Sequence, residues 1–411
     1  MIANPSRPAI ARIHINRTRL LLLIGLAYLT LFVYLDFLGF APERDEVHFW
    51  PTALLFSESW IPSLEQLRNY PELTTPLAFL VFGGLEHLLH GGIMAGRLLN
   101  LSLSFGMTAV IIVASDDARR STLATVGLFV FPYYLGVSVH QYTDVIGAVF
   151  VLLGLVSHLE HRPLVSAVYW SLAIATRQYA VAFPVAIAAY EFFRSDWKPS
   201  RAMWRWIAPA ASAATLGGWF WIFGGPAPLA ELANQGIDAD RLRHLDPTHI
   251  VYLLVCTGLF YVIPEFVLFP ETRRLRHRRW PLVVVAVVTV LACIVFPPRG
   301  NDWGAPTMGL FDRLMVSVLS PLPRMLLYAG LATLAAVRFS QYSLAAFLVA
   351  ANASILLVSH TMWEKYALAL LVSLWYLRAR EPEGRGRSSG ATAVPCSSSS
   401  WTRQREGHVL A

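Results

Sequence analysis

Lysine, cysteine and charge in general are scarce in this chain, and each shortage excludes something. Only 14% of its 411 residues are charged, whereas a soluble domain carries roughly a quarter to cover its surface. Water therefore cannot solvate the whole exterior. Apolar residues make up 55% of the chain and mean hydropathy is +0.50. The three cysteines are scattered, Cys256 and Cys293 in apolar runs and Cys396 in a polar tail, which supports neither a disulfide framework nor a zinc site. No Walker A loop, dinucleotide fingerprint or HExxH sequence occurs, so nucleotide-driven transport and zincin chemistry have no basis. Lysine is confined to Lys198 and Lys365. The first apolar run lacks a small-residue cleavage site and reads as an uncleaved first span.

What is present is a series of apolar runs. Twelve of them, at 20–39, 95–114, 121–136, 145–158, 164–176, 180–193, 207–223, 249–269, 281–296, 324–337, 342–358 and 366–377, read as spanning helices. Several fall short of the roughly 20 residues a bilayer requires, which implies tilt, local thinning or buried polar ends. The fold class expected is all-α, a polytopic bundle of about twelve spans with juxtamembrane helices in the first outer loop. A further apolar stretch, Leu73–Leu89, contains Glu86, His87 and two adjacent glycines. If it does not cross, about two thirds of the 33 basic residues lie on the side of the N-terminus, which the positive-inside rule makes cytoplasmic. That arrangement is adopted, with Leu73–Leu89 lying in the interface or dipping part-way into the membrane. The organisation is then a cytoplasmic leader (1–19), a membrane module (20–223) with its first outer loop at 40–94, a second module (224–378) and a disordered cytoplasmic tail (379–411) rich in Ser, Gly and Arg. The location expected is a multi-pass plasma (inner) membrane protein of the cell envelope.

Chemistry-bearing residues gather on the outer side. Pro42-Glu43-Arg44-Asp45-Glu46-Val47-His48 directly follows the first span. Carboxylates in that partly dry setting serve either as bases with raised pKa or as ordinary acids at a helix start. Adjacent Asp45 and Glu46 would point about 100° apart on a helix, so they do not share one task. Tyr70-Pro71-Glu72-Leu73-Thr74-Thr75-Pro76 opens the ambiguous stretch; its threonines either cap a helix or wall the site. His140-Gln141-Tyr142-Thr143-Asp144 puts a charge at the mouth of an apolar helix, to be explained by capping, by function or by both. Arg177, beside Gln178, is the one basic residue of a short outer loop. It either receives a phosphate bidentately, pairs with Asp144 or anchors at headgroups. Lys365 and Tyr366 precede the final run, as phosphate ligand or as interfacial snorkel and belt. Arg299, Asp302, Asp312 and Arg313 are weaker candidates.

Other signals are discounted. Asp116-Asp117 faces the cytoplasm as a solvated loop. The basic run Arg273–Arg279 suits anionic lipid better than nucleic acid, so no nucleic-acid partner is expected despite the net charge of +7. His158 and His161 have helical ligand spacing, but their cytoplasmic position beside Arg162 suits a headgroup-facing role. No metal or cofactor is called for.

The order Asp45-Glu46 with His48, Thr74-Thr75-Pro76, Tyr142-Thr143-Asp144 and Arg177-Gln178 resembles the GT-C superfamily of membrane glycosyltransferases. Within it, the pattern is most similar to the dolichyl-phosphate-glucose-dependent alpha-1,2-glucosyltransferases. Arg97-Leu98-Leu99-Asn100 resembles the start of that family's next span. The likeness covers about the first half of the chain, and His48 stands one position earlier than the family's histidine. The resemblance implies an inverting hexosyltransferase that uses a polyprenyl-phosphate sugar and a hydroxyl acceptor on the outer face. It implies a catalytic role for Asp45 with Glu46 beside it, and substrate contacts from His48, Thr74, Thr75, Tyr142, Asp144, Arg177, Gln178 and Lys365. Two other classes compete. A transporter or flippase for lipid-linked sugars should show two related halves with paired broken helices, whereas these motifs crowd into the first half. In a non-catalytic membrane subunit, Asp45 would be only a helix cap.

Overall fold

The computed structural model describes residues 16–115, 117–195, 203–237, 245–273, 279–298, 309–359 and 361–381. Arg299 and Asp302, Asp116, most of the basic run at 273–279, most of the leader and the tail beyond 381 lie outside the described residues. Among the described residues every regular element is helical. Helix α1 (Arg17–Tyr34) precedes three elements of the first outer loop, α2 (Glu46–Leu55), α3 (Leu64–Asn69) and α4 (Leu77–Leu89). Next come α5 (Gly92–Val113), α6 (Ala118–Phe129), α7 (Pro132–Ser138), α8 (Thr143–Leu159), α9 (Pro163–Thr176), α10 (Ala182–Arg194), α11 (Trp204–Phe223) and α12 (Leu229–Asn234). The rest are α13 (Pro247–Leu268), α14 (Arg279–Val295), α15 (Leu310–Val318), α16 (Pro321–Arg338), α17 (Leu344–Ile355) and α18 (Leu368–Arg380).

Each expected span coincides with a helix or a helix pair. The expected span 121–136 is not continuous: α6 and α7 meet at 75°, because Pro132 has no N–H to extend the ladder and pushes Phe131 out of the helical region. By length and hydropathy α1, α5 and α13 could each cross a bilayer unaided. Helix α4 has 13 residues, about 20 Å at 1.5 Å each, well short of a hydrocarbon core of about 30 Å. The membrane character shows in the exterior: Leu22, Leu26 and Leu29 on α1 and Val284, Val288 and Leu291 on α14 are all more than half exposed. Such apolar faces belong against lipid.

Helix α18 is the axis of the bundle, packing against α5, α6, α8 and α17. It is apolar on all sides and buries Leu368, Leu370, Leu371, Val372, Leu374 and Trp375, as a helix enclosed by others must. Around it α8, α9, α11, α10 and α17 pack in sequence, while α13, α16 and α14 form a second group. The sparse charges are buried in pairs. Toward the expected cytoplasmic end, His158 bonds Glu191 at 3.1 Å, and Arg338 grips Glu265 with two bonds of 2.7 Å. His158 is thus a core histidine rather than a headgroup ligand, and Asp117 caps α6 by accepting from Arg119 and Arg120 N–H.

The first outer loop is locked down. Asp36, Phe37 and Leu38 all take left-handed backbone conformations (φ 49–63°), each costing about 1–2 kcal/mol without glycine's freedom. The Arg97 guanidinium pins this turn, donating to Leu38 O at 2.8 Å and Phe40 O at 2.6 Å and lying 3.8 Å over the Phe40 ring. Helices α2 and α4 touch at Gly83, where a Cβ would meet Ala53 O at 2.7 Å. This close contact fixes α2 over the outer ends of the bundle.

Candidate functional site

Three carboxylate–cation pairs are drawn together where these outer segments meet. Glu46, in the first turn of α2, is fully buried. Its oxygens accept from Arg97 at 2.8 and 2.6 Å, from Gln141 N–H at 2.6 Å and contact His140 Nδ1 at 3.1 Å. Burial pushes its carboxyl up, but Arg97, His140 and Gln141 outweigh it and hold it down to about 2. Glu46 lines none of the three cavities below. The role expected beside Asp45 is therefore corrected: Glu46 is an anchor that ties α2 to α5 and to the turn before α8.

The second pair is Asp144 with Arg177. Arg177 Nη2 donates to Asp144 Oδ2 at 2.6 Å, and Tyr179 OH donates to Oδ1 at 2.9 Å. Of the alternatives open for Asp144, pairing holds. The N-cap of α8 is Tyr142, with no side-chain capping bond. Arg177 is buried, not extended toward headgroups, and burial lowers its basicity while Asp144 raises it further, for a net increase. Its Nε–H is buried with no hydrogen-bond partner.

Asp45 forms the third pair, with Lys365. It stands at the N-cap of α2 but makes no capping bond, so the helix-cap reading is not what the geometry shows. Burial alone would depress Lys365; Asp45, and then Asp144, raise it above its ordinary value. The ammonium also sits 4.9 Å from the centres of the Tyr142 and Trp363 rings. Burial, together with the neighbouring Asp45 charge, pushes the Tyr142 phenol up to about 12.

A cavity of about 340 Å³ joins Asp45, His48, Glu72, Thr74, Arg177, Glu231, Trp363, Lys365 and Tyr366. A groove of about 240 Å³ shares Leu73, Thr74, Arg177, Thr361 and Tyr366 with it and continues along Leu216, Phe220, Leu232, Ile237, Ile355 and Val358, with Gln178 at its polar end. A third cavity, about 360 Å³, lies on the other side of Asp45, Trp363 and Lys365 and includes Tyr142. Of the candidates, Asp45, His48, Thr74, Tyr142, Arg177, Gln178 and Lys365 line these spaces. Thr75 does not: it neither caps α4, whose N-cap Pro76 has no side-chain bond, nor opens to a cavity, but donates to Ile174 O at 2.7 Å. Gln178 fastens two loops by donating to Leu73 O at 2.7 Å and Pro226 O at 3.3 Å.

Sequence reasoning missed Glu72, which is buried on the central cavity with Oε1 unpaired. Burial pushes its carboxyl up to about 8, only partly countered by Arg177. Its sole local signal was an acid between Pro71 and the apolar run at Leu73. Glu364 was missed too: fully buried, it accepts from Tyr252 OH and from the N–H groups of Phe311 and Asp312. It thereby caps α15 and presents its neighbour Lys365 to Asp45. Among the described residues no group of three or more His, Cys, Asp or Glu gathers as a metal site.

No family model matches the chain, and no curated protein matches it. Among solved structures it is similar to ArnT from Cupriavidus metallidurans bound to undecaprenyl phosphate, at 17% identity and a TM-score of 0.42, over 80% of this chain. The chain spans 61% of that structure's length.

Proposed function

We propose that this membrane protein is an inverting glycosyltransferase that moves a hexose from a polyprenyl-phosphate carrier to a hydroxyl acceptor on the outer face of the membrane. One observation carries the reading: a partly solvated carboxylate, Asp45, and two buried cations, Arg177 and Lys365, line one cavity whose wall continues into an apolar groove. A polyprenyl phosphate is an anion on an apolar tail, and the groove and cavity match it in that order. The tail would lie along Phe220, Leu232 and Ile355. The phosphate would sit against Lys365, in the cavity that Arg177 also lines. Asp45 takes the acceptor's hydroxyl proton as that oxygen attacks the anomeric carbon. The carbon–oxygen bond to phosphate breaks on the opposite face, and the two cations stabilise the charge that develops there. The resemblance to the GT-C pattern at Asp45, Tyr142 and Arg177 supports the same assignment.

Purified protein offered a panel of polyprenyl-phosphate sugars tests it. Asp45→Asn should lower transfer by on the order of 10²–10⁴-fold, the usual contribution of a positioned base, with unchanged membrane insertion. Full activity in that variant would end the mechanism.

A further inference from the structure

His140 is fixed more firmly than a loop histidine needs to be. Asn100 donates to the backbone oxygens of both His140 and Tyr142 at 2.8 Å, and Gln141 N–H between them is tied to Glu46 at 2.6 Å. The ring stands edge-to-face against Phe40 and Tyr142, with centroids 5.2 and 5.6 Å away. Its Nδ1 lies 3.1 Å from Glu46 Oε2. Held down to about 2, Glu46 is ionised at neutral pH and can only accept, so Nδ1 carries the hydrogen. In the neutral imidazole Nε2 is then left with its lone pair free. Among the described residues Nε2 makes no hydrogen bond, and it is not one of the buried atoms without a partner. Open space is what remains for it. Glu46 lines no cavity, but His140 lines the one of about 360 Å³ beyond Asp45. It lines neither the cavity that holds Glu72 and Arg177 nor the apolar groove. The lone pair therefore serves the side of Asp45 away from the proposed donor.

We propose that His140, its tautomer fixed by Glu46, is a specificity-determining residue: Nε2 accepts a hydrogen bond from a second O–H or N–H group beside the acceptor's reacting hydroxyl. The inference rests on the transferase reading, with the acceptor entering by the cavity beyond Asp45. The cations on that wall, Arg44, Arg313 and Lys365, can only donate. Asp45 is committed to the reacting hydroxyl, so Nε2 is the strongest acceptor left for a second donor group. Two fixed acceptors set the orientation of a ligand as well as its position, and a site built to receive a donor rejects the analogue that lacks one. His140 takes no proton in this scheme; it holds the acceptor while Asp45 does the chemistry.

Asparagine and glutamine separate the two ends of the ring, because the shorter amide reaches where Nδ1 stands and the longer one where Nε2 stands. His140→Asn keeps a donor to Glu46 and loses the acceptor in the cavity; His140→Gln does the reverse. Full-length protein in nanodiscs is given undecaprenyl-phosphate glucose as donor, with octyl glucoside and its mono-O-methyl ethers as probe acceptors. His140→Asn should raise KM for octyl glucoside roughly tenfold, the loss of about one hydrogen bond, with donor KM and melting temperature unchanged. His140→Gln should lower the melting temperature and keep acceptor KM near that of the wild type. One ether should be about tenfold poorer than its parent for the wild type and no poorer for His140→Asn. An acceptor KM that follows melting temperature across both variants would make His140 merely structural and overturn the inference. Diethyl pyrocarbonate labelling, resolved among the twelve histidines by mass spectrometry, needs no turnover: His140 should be modified, and octyl glucoside should protect it. Absence of labelling or of protection would also overturn the inference. Labelling and protection in a protein that transfers no glucose would instead indict the transferase reading and leave the His140 contact standing.

Discussion

Arg97→Met should cost more than any other single substitution at the outer end of the bundle. The guanidinium makes two bonds to Glu46 at 2.8 and 2.6 Å and three to the carbonyls of Leu38, Phe40 and Ala41 at 2.8, 2.6 and 3.3 Å. Both partners of the ion pair are fully buried. Methionine fills similar volume, so the loss is electrostatic: a carboxylate without its main cation and a strained turn without its clasp. Removing one member of such a pair costs about 3–5 kcal/mol. The net effect of burial, Arg97, His140 and Gln141 on Glu46 points the same way. A carboxyl held at about 2 instead of 4.5 stabilises the folded state by about 3 kcal/mol at neutral pH. This is a depressed carboxyl, so the contribution is complete above pH 4.5 and vanishes as pH falls through 2. Thermal unfolding of the purified protein in detergent should show a fall of roughly 3–6 °C. Adding Glu46→Gln should recover part of it, because the orphaned charge is removed. A drop below about 1 kcal/mol, or two substitutions whose effects simply add, would refute the view that Arg97 and Glu46 act as one unit.

Glu72→Gln should raise melting temperature at pH 9 and change it little at pH 5. A carboxyl raised from 4.5 to about 8 in the folded state binds its proton more tightly there, so stability declines as pH climbs between those values; a wild-type profile as flat as the variant's would contradict this. Lys365→Gln should reduce sugar transfer by on the order of 10²–10³-fold through loss of phosphate stabilisation. Lys365→Arg should not restore it, since the planar guanidinium cannot replace a compact ammonium between Tyr142 and Trp363, and steady-state rates decide. Gly258→Ala would place a Cβ 2.2 Å from Leu331 O, a backbone atom that cannot rotate away, so α13 and α16 must separate at a cost of about 1–3 kcal/mol; an unchanged melting curve would show the contact to be loose.

The helices were legible in the sequence because apolar runs of bilayer-related length leave little choice of structure, and each expected span has its helix. The break at Phe131-Pro132 was equally local, yet hydropathy averaged over the run hid it. Capping, one of the alternatives left open at three helix starts, does not hold at any of them, for one recurring reason. Asp45, Thr75 and Asp144 all stand at helix starts, where a polar side chain usually satisfies the local N–H groups. Each instead reaches a partner far along the chain: Lys365, Ile174 or Arg177. Propensity knows only neighbours, and these partners are supplied by the fold. Glu72 escaped notice similarly, since its elevated carboxyl depends on burial against segments that include distant Glu231 and Arg177.

The three outer pairs differ in one physical respect, the exposure of their carboxylates. Glu46 and Arg97 are sealed completely, and Asp144 is fully covered with Arg177 nearly so. No solute can take the place of Glu46 or Asp144 in those pairs without unfolding the loop around them, although Arg177, like Lys365, still lines the cavity. In the third pair Lys365 is 6% exposed but Asp45 27%, and both line the cavity. An incoming phosphate can therefore displace Asp45 from Lys365, trading one anion for another with little net desolvation. That exchange would release the Asp45 carboxylate to act as a base only once the donor's phosphate is in place. A resting site that keeps its carboxylate paired has no free base to activate stray water. On this account the same lysine that stabilises the leaving group also gates the base, which is why its substitution should impair transfer more than loss of one phosphate contact alone would.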